Sequence, residues 1–202
     1  MADAYVRPAR PDDAASVATV QLSTWRTAYA GVIPASVLDG LGEDDAAAQW
    51  RSAITEPPTD RHHVLVAREG ETVVGFVAVG PALPEDLVGP GHEWTGPADE
   101  SAAPAEPTAL GDWAGDALAI SALLVEPRWG RRGHGSRLLA AAVDLARTDG
   151  FSRAVAWVLE ADTATRPFLE SAGWAPDGVG RVLDMDGTEV PELRLVTTFK
   201  DA

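Results

Sequence analysis

The chain contains no cysteine among its 202 residues, which excludes a disulfide framework, a thiol nucleophile and thiolate-ligated zinc or iron–sulfur centres. It also lacks any apolar run near the ~18 residues that a membrane span requires. The stretch from Met1 to Pro8 has neither the basic flank nor the apolar middle of a signal peptide, so a cytoplasmic protein is expected. Positive charge is scarce: 16 Lys and Arg face 31 Asp and Glu, for a formal net charge of −15. Such a surface repels phosphate backbones and anionic lipid, so no nucleic-acid or membrane partner is expected, whereas the acidity either draws in cationic ligands or serves only solubility. What the chain does have is ordinary for a soluble globular protein, 46% hydrophobic and 23% charged residues, enough to bury a core without staples. The expectation is one domain over residues 1–202.

The pattern along the chain alternates between helix and strand. Asp12 reads as the N-cap of a helix on which Ala14, Ala18, Leu22, Trp25 and Tyr29 share one face before Gly31 ends it. A second helix is predicted over 43–54. Two β-rich runs, 62–68 and 72–79, around Glu69-Gly70-Glu71 predict an antiparallel hairpin. His62 and His63 then lie on an edge strand with no acidic partner at metal-ligand spacing, and no metal site is expected. From Pro81 to Asp116 the 36 residues hold six prolines, five glycines, eight acids and no Lys or Arg, a loop composition that is either disordered or a functional flap over a binding site. Trp94 and Trp113 are its candidate apolar tethers. Beyond it, 117–125 reads as a buried strand, 136–147 as a helix closed by Gly150, 153–159 as another buried strand, and a short helix ends at Ala172-Gly173-Trp174. Two last strands fit around the Asp186-Gly187 turn. A strand–helix–strand unit inside these hairpins implies an α/β fold, a mixed and mostly antiparallel sheet with one central parallel pair, flanked by helices.

The segment from Val125 to Ser136 carries the most chemistry. It joins a buried strand to a helix start through Gly130, Gly133 and Gly135, and four of the 16 basic residues, Arg128, Arg131, Arg132 and Arg137, lie within it or at its edge, opposed only by Glu126. At such a junction free backbone N–H groups and the helix dipole converge, and glycine lets a phosphate approach with no Cβ in the way. No Gly-Lys-Ser/Thr follows, so this is not a P-loop, and it lacks the third glycine and downstream acid of a dinucleotide fingerprint. Gly-x-Gly ahead of a helix is by itself also compatible with a simple tight turn.

Val125-x-Pro127 followed by Arg131-Arg132-Gly133-His134-Gly135-Ser136 resembles the acyl-CoA pyrophosphate loop of the GNAT N-acetyltransferases, whose motif is Gln/Arg-x-x-Gly-x-Gly/Ala. Trp25 to Pro34 resembles the first-helix region of many bacterial members, and Arg166 to Trp174 the family's last helix with its Gly-aromatic ending. The resemblance implies a single GNAT-like domain with an insertion at about 81–116, acetyl-CoA as co-substrate, and transfer of an acetyl or short acyl group to a small amine within a ternary complex. It implies that Arg131, Arg132, Gly133, His134, Gly135 and Ser136 hold the cofactor with Asp162, that Leu123 and Val125 pair with its pantetheine arm, and that a main-chain N–H near Val125 faces the oxyanion. Trp25 and Tyr29 would line the acceptor pocket, although aromatics on an apolar helix face also serve as core. A homodimer is compatible with the sequence, which does not fix the oligomeric state.

The sequence departs from the family pattern where acid–base chemistry is usual. The thiolate-protonating tyrosine corresponds to Leu169, the early-strand acid to Ala119, the first loop position to Gly130, and the asparagine before the last helix to Asp162. Asp116 and Glu160, with Asp112 and Asp162, remain as candidate bases at strand ends. Two other functions are open: a non-catalytic acyl-CoA-binding or sensory domain, and a nucleotide-phosphate binder using the same loop.

Overall fold

The computed structural model describes residues 4–87, 113 and 115–199. Along them run β1 (Ala4–Pro8), α1 (Ala14–Ala28), α2 (Ala35–Asp39), α3 (Glu43–Thr55), β2 (His63–Glu69), β3 (Thr72–Pro81), α4 (Pro84–Leu87), β4 (Ala117–Val125), α5 (His134–Thr148), β5 (Arg153–Leu159), α6 (Thr165–Ser171), β6 (Ala175–Met185) and β7 (Thr188–Thr198). The chain falls into two compact units, one of residues 1–80 and 120–149, the other of 81–119 and 150–202.

In the first unit the strand order is β1-β2-β3-β4. The predicted hairpin forms, with Val66 opposite Phe76 and Gly70 in the left-handed region that its tight turn needs. β4 lies antiparallel to β3, since the Glu126 N–H donates to the Val74 carbonyl at 2.9 Å and Ser121 Oγ to that of Ala78 at 3.1 Å. β1 is a strand the sequence reading did not contain; five residues are too few for alternation to show. It pairs with β2 from Ala4↔Glu69 to Pro8↔Leu65, so β2 is an interior strand and not the expected edge. α1 buries Ala14, Val17, Ala18, Val20 and Leu22, and its core with Val66, Val73, Phe76 and Leu124 takes in helix and sheet together. Trp50 of α3 meets Phe76 edge-on at 4.8 Å and donates its indole N–H to Gln21 Oε1 at 2.7 Å.

The start of α1 corrects one expectation. Asp13 rather than Asp12 organises it: its carboxylate accepts the Arg10 N–H at 2.7 Å and two bonds from Arg7 at 2.7 and 2.9 Å. Burial opposes ionisation of Asp13, but the Arg7 and Arg10 hydrogen bonds and the Arg7 charge outweigh it and hold the carboxyl below its ordinary 3.8. The same pairing, working against burial, raises Arg7 above its ordinary value.

In the second unit Ser152, one residue before β5, donates its N–H to the carbonyl of Asp116, one residue before β4, at 3.2 Å. The two strands therefore start side by side and run parallel, as expected. β5, β7 and β6 follow as antiparallel neighbours. Asp186 and Gly187 both have positive φ, the geometry of a two-residue hairpin turn. Part of the expected loop is ordered structure, because β3 runs to Pro81, α4 forms at 84–87, and Trp113 is buried against Leu87, Ala117 and Val155. The remainder of that loop, with Trp94 and Asp112, lies outside the described residues. Arg194 of β7, 2% exposed, binds Asp177 Oδ2 at 2.7 and 3.0 Å and donates to the carbonyls of Asp86 and Leu87.

Candidate cofactor site

The segment after β4 folds as a short 3-10 turn, Pro127–Trp129, then a loop that enters α5. The Gly130 N–H closes that turn on the Pro127 carbonyl at 3.1 Å. Arg131 (φ +60) and Gly133 (φ +80) are both left-handed, and Gly133 stands at the N-cap of the 15-residue α5. The first helical bond runs from the Arg137 N–H to the Gly133 carbonyl at 3.1 Å, so the N–H groups of His134, Gly135 and Ser136 precede it and need a partner from outside the helix. A Cβ on Gly133 would be strained and would stand 3.2 Å from Arg137 Nη1. An exposed left-handed corner at the positive end of a four-turn helix has free N–H groups and a dipole that can receive an anion.

The arginines around it are engaged in different ways. Arg128 Nε pairs with Glu126 at 2.7 Å. The Arg132 guanidinium lies 4.8 Å over the Trp129 ring and 3.6 Å from Glu69 Oε1. Arg137 Nη1 donates to the Arg132 carbonyl at 3.1 Å, and Arg131 is exposed. Glu126 is thus not the only acid opposing the cluster; Glu69, at the end of β2, also reaches it. The His134 side chain turns inward from the loop. It is 1% exposed, with Nε2 2.9 Å from Glu69 Oε2. His134 stands four residues before buried Leu138 and eight before buried Ala142, on the inner face of α5, a spacing that could have identified it. Only its main chain is available to a ligand.

Leu123 and Val125 are half-buried and, alternating with buried Leu124, share one face of β4. Against them stands Gly75 of β3, a residue the sequence reading did not single out: a Cβ there would lie 2.7 Å from the Leu124 carbonyl oxygen. Trp25 packs against the core of its unit while half-exposed, and Tyr29 is half-buried at the end of α1, its carbonyl accepting the N–H groups of Val32 and Ile33 at 3.0 Å.

In the second unit the acidic candidates separate. Both carboxylate oxygens of Asp116 bind Ser152, at 2.6 Å to Oγ and 3.1 Å to N–H, so this residue staples strand starts together. Asp162 is 9% exposed and spends its carboxylate on the start of α6, accepting the Ala164 and Thr165 N–H groups at 2.8 Å and Thr165 Oγ1 at 2.6 Å. Glu160 is exposed just after β5, tied only by its main-chain N–H to the Pro191 carbonyl at 2.9 Å among the bonds described. Leu169 is fully buried core. His63, expected to lack an acidic partner, has one distant in sequence: its Nε2 lies 2.7 Å from Asp149 Oδ2. Among the described residues no three His, Asp or Glu group together as metal ligands. None of the described helices is long and apolar enough to cross a membrane.

The chain is similar in sequence and fold to known proteins. The model of the Acetyltransferase (GNAT) family matches residues 25–174. The uncharacterized N-acetyltransferase YuaI of Bacillus subtilis (strain 168) is 28% identical over 191 residues, 94% of this chain and 87% of that protein. The PaiA N-acetyltransferase of Thermoplasma acidophilum, solved in complex with coenzyme A, superposes with a TM-score of 0.64 at 13% identity, covering 98% of this chain and 99% of that one. The yncA protein of Salmonella typhimurium, solved with its cofactor acetyl-CoA, gives 0.64 at 15% identity over 99% of this chain and 96% of that one.

Proposed function

The chain belongs to the acetyltransferase (GNAT) family, and from that premise we propose that it transfers the acetyl group of acetyl-CoA to a small cationic amine by direct attack in a ternary complex. The observation that carries this reading is the left-handed corner at Arg131 and Gly133 ahead of the unsatisfied N–H groups of α5, a cradle for the cofactor's diphosphate. Neighbours of the same fold were solved with coenzyme A and with acetyl-CoA, which supports the cofactor class.

Acetyl-CoA supplies an activated thioester. Arg131, Arg132, Gly133, His134, Gly135 and Ser136 hold its diphosphate, His134 through the main chain alone. Leu123 and Val125 present the β4 main chain to the pantetheine arm, and the N–H near Val125 stabilises charge developing on the thioester oxygen. Trp25 and Tyr29 face the acceptor. The amine proton leaves to a carboxylate or to water. Asp116 and Asp162 are not assigned that role, because each carboxylate is already bound in place. A thiol has an ordinary pKa near 8.5, so the leaving group departs without a strong acid, and a buried leucine at position 169 is tolerable. The net charge of −15 concentrates a cationic acceptor.

Free-thiol release from acetyl-CoA across a panel of amines tests the reading. Turnover with cationic amines, and a CoA affinity at least roughly tenfold weaker in Gly135→Val, are expected. Gly135 is helical, and valine is no worse than glycine in a helix, so helix propensity does not account for the loss. CoA binding without thiol release would instead identify a non-catalytic acyl-CoA sensor.

A further inference from the structure

Two side chains of the cofactor loop, with a third ring packed against both, meet the carboxylate of Glu69 at the end of β2. Trp129 follows β4, Arg132 lies mid-loop and His134 opens α5. The Arg132 guanidinium stacks on Trp129, and the Trp129 and His134 rings meet edge-on at 6.4 Å. Glu69, 65 residues away from His134, binds His134 Nε2 at 2.9 Å and stands 3.6 Å from Arg132 Nη1. His134 Nδ1 and Trp129 Nε1 are buried without a partner among the described residues, so Glu69 provides the one hydrogen bond described for that imidazole. Between the two residues that Glu69 grips lies Gly133 at φ +80, and Arg131, a non-glycine residue at φ +60, directly precedes them. A left-handed non-glycine residue is costly and persists only where its surroundings over-determine it.

We propose that Glu69 is a positioning residue for acetyl-CoA binding: by holding His134 and Arg132 it keeps the Arg131–Gly133 corner left-handed and the α5 N–H groups aimed at the diphosphate before the cofactor arrives. This rests on the reading of the loop as the diphosphate cradle. A carboxylate near an anion site looks counterproductive, since its field alone repels phosphate. Two effects of opposite sign therefore compete, and the geometry decides for preorganisation, because the neighbouring charges are already spent. The carboxylate is shared between Arg132 and the imidazole, which leaves little net field, whereas no other hydrogen-bond partner is described for the His134 imidazole.

The test compares Glu69→Ala with Glu69→Gln in the full chain, by calorimetric titration with CoA and by steady-state kinetics. Gln keeps an oxygen acceptor for the His134 Nε2–H and loses only the charge; Ala loses both. Glu69→Ala is expected to raise the CoA Kd and the acetyl-CoA KM roughly 5- to 30-fold, with kcat at saturating acetyl-CoA within about twofold of the parent. Glu69→Gln is expected to restore most of the affinity. If both variants bind CoA as tightly as the parent or tighter, with the gain shrinking as salt is added, Glu69 acts only through its field and the proposal is overturned. If Ala lowers kcat and stability with an unchanged KM, its role is general folding and the proposal equally fails. Gly135→Val separates the underlying reading. Were it to leave CoA affinity unchanged, the cradle would lie elsewhere; were it to weaken binding while Glu69→Ala did not, the cradle would stand and Glu69 would be idle.

Discussion

Gly75 and Gly80, five residues apart on β3, allow the same chemical change to be made against two different obstacles. Both have ordinary φ values, so alanine brings no backbone strain at either. At Gly75 the new Cβ would stand 2.7 Å from the Leu124 carbonyl oxygen, 3.0 Å from Val125 Cγ2 and 3.2 Å from Val125 Cα. At Gly80 it would come closer still, 2.4 Å from His62 Cδ2. Distance alone ranks Gly80 as the worse site; the identity of the neighbour reverses the ranking. The imidazole of His62 is a side chain held by a single exposed bond, Thr59 Oγ1 to Nδ1 at 2.8 Å, and rotates away at the cost of that bond. Leu124 and Val125 offer main chain in the interior of a sheet and cannot move without β4. Overpacking of this kind costs about 1–3 kcal/mol, against a gain of about 0.4–1 kcal/mol from restricting the unfolded glycine. At roughly 2–4 °C per kcal/mol for a chain of this size, Gly75→Ala is expected to lower Tm by up to about 10 °C and Gly80→Ala to leave it within about 2 °C. Because the displaced residues carry the thioester and pantetheine arm in the proposed reaction, Gly75→Ala should reduce kcat about tenfold or more and weaken CoA binding to a lesser degree, the diphosphate contacts lying beyond β4. Differential scanning calorimetry with thiol-release kinetics measures both. Equal melting temperatures for the two variants would refute the argument that a backbone obstacle and a side-chain obstacle differ.

Further outcomes follow from the same geometry. The Asp13 carboxyl titrates below its ordinary 3.8 in the folded state, so its pairing with Arg7 stabilises the fold fully above that value and is lost as pH falls beneath it; Asp13→Asn should flatten this acid limb in denaturation curves and cost about 1–2 kcal/mol at neutral pH. Arg194→Met strands Asp177 and two carbonyls and should cost about 3–5 kcal/mol, with Asp177→Leu recovering part of the loss in the double variant; no recovery would mean that the ion pair is not what the first change broke. Added salt should raise the acceptor KM and leave kcat nearly unchanged, since screening acts beyond roughly 8 Å at physiological ionic strength; a salt-independent KM would leave the acidity without a role in recognition.

Local patterns were enough for most elements. β4 and β5 were legible to the residue, because an apolar run bounded by a turn residue or glycine admits few alternatives, and α3, α5 and the two hairpins followed from periodicity and turn chemistry. The loop from Gly130 to Ser136 and the helix it opens were likewise readable, since glycine spacing and a helix start are local properties. What the sequence could not contain is which distant groups meet. β1 pairs across about sixty residues and turns a supposed edge into an interior strand. Glu69 reaches the loop from 65 residues away, taking a histidine that looked available for ligand and burying it. Asp116 and Asp162 read as free acids at strand ends until their neighbours bound both. Main-chain hydrogen bonding and side-chain period are written residue by residue; side-chain pairing depends on loop closure between segments that carry no local sign of one another, and that part of the site was decided only by the tertiary structure.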